Sequence, residues 1–213
     1  MIVHGAGSCK ESHHDFARAA VALGLAAISF DQRGHGDSAG PMDARAVQDV
    51  VAIASRLRDA LGDSAAPIAL RGSSMGGYLA ILAAGLVDAG AVVAICPASA
   101  AGLRRGVAAG TLRFDADVDA LVAFLDDHEL APAAQSLTAP LLLLHAEGDE
   151  QVPVQHSREL AALVRAPGSR LIVVPGGHHR SIQHDEEFQA VSLRFIEQAL
   201  GLRARRSGLT RFG

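Results

Sequence analysis

Short apolar runs recur along the chain at 26–30, 68–70, 91–96, 141–145 and 171–174, and segments with apolar residues spaced i, i+3 and i+4 lie between them. Such alternation restricts the fold more than any other feature, because strands separated by helices pair in parallel and bury both faces of their sheet. The run Leu141, Leu142, Leu143, Leu144 contains no polar residue, as a strand covered on both sides requires. Helices are predicted at about 12–23, 44–61, 75–84, 154–164 and 185–200, with glycine and proline punctuating the joins. The expected class is α/β, a mostly parallel central sheet with helices on both faces.

With 213 residues, the chain fits one domain, expected to span 1–201. Two segments depart from the alternation. Residues 98–138 separate two strands by more than a simple crossover needs and hold a helical stretch near 118–125, so a short lid is expected there. Residues 202–213 carry Arg203, Arg205, Arg206 and Arg211 without apolar periodicity, which predicts a disordered basic tail.

Charge and cysteine usage exclude several classes. A net charge of -4, with basic residues scattered apart from that tail, offers no cationic face for nucleic acid. Two cysteines, Cys9 and Cys96, are too few for a disulfide framework and lack zinc-site spacing. The first ten residues have no apolar h-region, and no run of about 20 apolar residues occurs, so neither a secretion signal nor a membrane span is expected. The location this suggests is cytoplasmic.

Chemistry concentrates at Gly72, Ser73, Ser74, Met75, Gly76, which follows the strand at 68–70 and opens the helix at 75–84. A GxSxG between strand and helix is a nucleophile elbow: the turn is sharp, the serine is strained, and its hydroxyl stands at the sheet's carboxyl end. The pattern selects Ser74 as nucleophile over Ser73, and the amide of Met75, at a helix start, faces a nascent oxyanion. An alkyl hydroxyl needs a base, and that base needs orientation. Past the strand at 141–145 come Glu147, Asp149 and Glu150; past the strand at 171–174 come His178 and His179. Both loops lie where catalytic groups gather in open α/β sheets.

These motifs, with His4, Gly5, Ala6, Gly7 and the run Asp31, Gln32, Arg33, Gly34, His35, Gly36, Asp37, Ser38, resemble the α/β-hydrolase superfamily, near its small esterase, lipase and serine-peptidase branches. The resemblance implies an HG-type oxyanion loop with a backbone donor at Ala6 or Gly7, Asp149 as the acid and His179 as the base. It makes His4 and His35 loop-shaping residues, Asp31 a turn stabiliser and Cys9 a pocket neighbour. Members of that superfamily carry an antiparallel strand pair ahead of the HG motif, and here only Met1, Ile2 and Val3 precede it. The first two strands are therefore expected to be lacking, the strand at 26–30 becomes a sheet edge, and self-association through it is expected.

The implied reaction is acyl transfer to water on a small ester or related acyl substrate, with no metal or organic cofactor. A carboxylesterase is the favoured form. A peptidase, an acyltransferase and a hydrolase-like small-molecule receptor with little turnover are the alternatives.

Overall fold

The leucine run alternates between two apolar layers: Leu141 and Leu143 pack into one, Leu142 and Leu144 into the other. In the computed structural model, which describes residues 1–202, this strand lies inside a five-stranded parallel sheet. The strands are β1 (Ile2–Val3), β2 (Ile68–Ser73), β3 (Ala89–Ile95), β4 (Leu141–Ala146) and β5 (Arg170–Val174), hydrogen-bonded in that order. Because every pairing is parallel, all carboxyl ends emerge on one side of the sheet.

One layer contains α1 (His14–Ala22), entered through a 3-10 turn at Lys10–His13, and α8 (Glu186–Ala199). The other is built around α2 (Ala46–Leu61), α3 (Met75–Ala83) and α7 (Val154–Leu163). Between β3 and β4 the chain adds α4 (Ala100–Ala108), α5 (Val118–Asp127) and α6 (Leu130–Ser136), so the segment expected to hold one helix holds three. Ser99 and Asp117 explain two of the starts: their side chains accept from the amides of Gly102 and Ala120 as N-caps. This insertion packs Leu103, Leu121, Phe124 and Leu125 into the α2–α3 layer, and the Tyr78 hydroxyl donates to the His128 carbonyl at 2.6 Å.

The predicted strand at 26–30 is corrected. Among the described residues its only ladder contact is a parallel bridge between Ser29 and Ile2, beside a 2.8 Å bond from the Ile2 amide to the Ile28 carbonyl. Its neighbour β1 is two residues long, and so short a partner leaves too few register positions for a strand to extend. The expectation for 202–213 lies, apart from Leu202, outside the described residues. Among the described residues no helix is long and apolar enough to cross a membrane.

Turn residues 31–38 tie the sheet edge to the insertion. Asp31 accepts from the amides of Lys10 and Asp37 and pairs with the Lys10 ammonium at 2.6 Å. Gly34, at φ 73°, exchanges backbone bonds with Gly40 and Asp115; a Cβ there would stand 2.0 Å from the Asp115 carbonyl oxygen. No side chain fits that approach.

Candidate active site

β2 delivers Ile68 and Leu70 to the core and ends at Ser73, after which the chain reverses directly into α3. The reversal places Ser74 at φ 52°, ψ −120°, a conformation that costs an L-residue on the order of 1–3 kcal/mol. Surrounding bonds hold it there: the Ser74 amide donates to Ile95 at 2.9 Å, and its carbonyl accepts from Tyr78 at 3.0 Å and Ala98 at 3.1 Å. Two glycines make the turn possible. A Cβ on Gly72 would lie 2.1 Å from the Gly76 carbonyl oxygen, and one on Gly76 would lie 2.0 Å from that of Val3. Both meet backbone, which has no room to yield.

The loop after β4 carries Asp149. Its Oδ1 accepts from the amides of Gln151 and Val152, each at 2.8 Å, and its Oδ2 accepts from His179 Nδ1 at 2.7 Å. Burial alone would push this carboxyl's pKa up, but hydrogen bonds from His145, His179 and the two amides outweigh it and hold the group far below the usual carboxylate range. Asp149 is thus ionised, and its bond to Nδ1 fixes the His179 tautomer with Nε2 as the open lone pair. His178 points elsewhere: it is exposed, and its Nδ1 accepts from the Arg180 amide at 3.3 Å. Glu147 and Glu150 are exposed, and Glu150 accepts from the His179 amide at 3.4 Å.

Ser74, Ala6, Gly7 and His179 line one cleft of about 650 Å³, with Cys9, Ser12 and Ser73 also on its walls. Ser73 is buried, with no hydrogen-bond partner for its hydroxyl. Met75 is buried in the first turn of α3, where backbone amides have no preceding carbonyl to bond. Leu103, Thr111, Leu112 and Arg113 of the insertion form a further wall.

Sequence reasoning missed the groups behind Asp149. His145, fully buried at the end of β4, accepts from the Ser157 hydroxyl through Nδ1 at 2.7 Å and donates from Nε2 to the Val152 carbonyl at 2.9 Å, 3.4 Å from Asp149 Oδ2. Cys96, at φ 43° after β3, completes the cluster, and burial pushes its thiol pKa up. Ligand-type atoms of Cys96, His145 and Asp149 lie within 4.8 Å of one another, but the imidazole nitrogens and the carboxylate are already engaged by protein groups. The trio is built as a hydrogen-bonded support. A histidine inside an apolar run gives no periodic signal, so only the fold exposes its role.

Two buried histidines, His4 and His13, are neutral. His4 Nε2 accepts from the Gln32 amide at 3.1 Å, and Nδ1 donates to the Gly5 carbonyl at 2.9 Å. Burial lowers its pKa to about 4. His13, whose ring nitrogens have no hydrogen-bond partner, is lowered to about 3 by burial and by the adjacent Arg71 guanidinium. With folded pKa values below the unfolded one, the unfolded chain binds protons that the native state refuses, so stability is full at pH 7 and falls as pH drops below about 6.5. Between pH 7 and pH 5, above the carboxylate range, each of the two should cost about 2 kcal/mol. Urea melts across that interval check this: His13→Leu should remove its own share of the slope, leaving that of His4 and of His35 and His156, which burial also lowers, and a pH-independent midpoint contradicts it.

The chain matches the Hydrolase_4 family model, described as serine aminopeptidase, S33, over residues 1–118. It is 27% identical to a monoacylglycerol lipase from Mycolicibacterium smegmatis, covering 88% of this chain and 82% of that protein. A 64-residue stretch is 39% identical to the uncharacterized protein YfhR of Escherichia coli O157:H7, covering 29% of this chain and 22% of YfhR's length. In three dimensions the chain is similar to the monoacylglycerol lipase of Paleococcus ferrophilus, with a TM-score of 0.73, 21% identity and coverage of 94% and 93% of the two chains.

Proposed function

Since the chain belongs to the Hydrolase_4 family, within the α/β-hydrolase superfamily, we propose that it is a serine hydrolase cleaving a small ester through an acyl-enzyme intermediate. The observation that carries this reading is the buried 2.7 Å Asp149–His179 pair, whose histidine shares a cleft with a serine held at φ 52°.

In this reading, Ser74 Oγ attacks the ester carbonyl while His179 Nε2 takes its proton, and Asp149 stabilises the imidazolium through Nδ1. The tetrahedral oxyanion is met by the amide of Met75 and by that of Ala6 or Gly7. His179 then returns the proton to the leaving alkoxide, and water repeats the cycle on the acyl-serine. The metal-free scheme uses only groups of this chain. The lipase names of the relatives favour an ester, while the description of the matched family favours a peptide bond.

Steady turnover of p-nitrophenyl butyrate, with a fluorophosphonate probe mapped to Ser74, is the expected result. Turnover of aminoacyl p-nitroanilides but not of esters moves the assignment to a peptidase. Ligand-dependent thermal stabilisation without turnover of either makes the protein a receptor.

A further inference from the structure

The chain carries a net charge of -4, yet the cleft around Ser74 holds two arginines, Arg113 and Arg180, and no aspartate or glutamate among the described residues lining it. Five of the other arginines are engaged: Arg33 pairs with Asp49, Arg45 with Asp43, Arg104 with Asp126, and Arg58 and Arg71 donate to backbone carbonyls, while the remaining described arginines lie outside this cleft. Arg113 and Arg180 are exposed, and among the described residues neither guanidinium has an ion pair or hydrogen bond.

Their positions are set by the catalytic loops. Arg113 packs on the loop holding Ala6 and Gly7: a Cβ on Gly7 would stand 3.2 Å from the Arg113 Cβ and 3.3 Å from its carbonyl oxygen. Arg180 directly follows His179. The carboxylates of the loop after β4 are turned to other work, since Asp149 has a fully buried side chain bonded to His179 and Glu150 accepts from the His179 amide and the Gln151 side chain. A concave site with walls of one sign concentrates ligands of the opposite sign, and a guanidinium fork matches the paired oxygens of a carboxylate or phosphate.

We propose that the substrate of this cleft is an ester bearing an anionic group, a carboxylate or a phosphate, held by Arg113 and Arg180 in the cleft that contains Ser74. The proposal rests on the Ser74 hydrolase reading and adds the charge of what it cleaves.

Matched esters test it. Monoethyl adipate against ethyl hexanoate places the charge on the acyl part, and 3-acetoxybenzoate against its methyl ester places it on the leaving group. The kcat/KM should favour the charged member of at least one pair by about tenfold at low ionic strength, and the preference should shrink in 0.5 M salt. In Arg113→Gln and Arg180→Gln the charged-to-neutral ratio should fall several-fold, and Arg180→Lys should keep part of it. The acetyl ester of 3-hydroxyphenyl phosphate, set against 3-acetoxybenzoate, tells which anion is preferred. Equal kcat/KM within both pairs, or a preference that both glutamine variants retain, overturns the proposal while leaving the hydrolase reading intact.

A binding measurement separates the two failures. Calorimetry with Ser74→Ala should show adipate binding that neutral adipamide does not match and that Arg113→Gln weakens. If no ester is turned over but this selective binding is present, the hydrolase reading fails and the anion site stands. If adipate and adipamide bind alike, the anion site falls.

Discussion

Replacing Ser74 with alanine should cut ester turnover by a factor of roughly 10⁴ to 10⁶ and abolish fluorophosphonate labelling, because the residual rate then comes from the oxyanion donors and binding alone. The fold should persist. Among the described residues the hydroxyl makes no hydrogen bond, and alanine occupies the same backbone with a smaller side chain, so stability should stay within about 0.5 kcal/mol of the parent. Ser74→Gly separates strain from chemistry. At φ 52°, ψ −120° a glycine relieves a penalty larger than the backbone entropy it adds, and this equally inactive variant should be more stable than Ser74→Ala by about 1 kcal/mol. Labelling that persists in Ser74→Ala and disappears in Ser73→Ala would transfer the nucleophile to the neighbouring serine.

His179→Ala should cost turnover a factor of roughly 10³ or more, whereas His178→Ala should stay within about fivefold of the parent. The adjacent imidazoles differ in surroundings rather than type. His179 is buried against an ionised carboxylate that fixes its tautomer, while His178 is exposed and engaged with the Arg180 amide. Steady-state kinetics on the two variants, with circular dichroism to confirm folding, decides the matter. A damaging His178→Ala beside an active His179→Ala reverses the assignment.

The parts of this architecture legible in the sequence are those dictated by local pattern. An unbroken leucine run, in a chain where such runs alternate with helical segments, reads as a central strand, and glycines two positions either side of Ser74 mark a turn where backbone meets backbone. Local pattern also brought Asp149 and His179 to the ends of adjacent strands, β4 and β5; the family resemblance chose them over His178 and the glutamate neighbours, and the fold adds the 2.7 Å bond between the two. What escaped depends on pairing at a distance. Residues 26–30 have strand composition but gain a single bridge, because strand formation depends on the partner's length as well as propensity. His145 escaped for a related reason: it is buried in a run read as purely apolar, and its position does not advertise its neighbours.

The elbow glycines and the insertion at 98–138 place unequal demands on variation. Gly72 and Gly76 each face a carbonyl oxygen about 2 Å from where a Cβ would sit, so lineages sharing this turn have almost no freedom there. The wall formed by Leu103, Thr111, Leu112 and Arg113 belongs to a segment that enters after β3 and rejoins at β4 without interrupting a strand. Diversification can rewrite that wall while the reacting groups keep their places, so a scaffold of this kind changes its diet more readily than its chemistry.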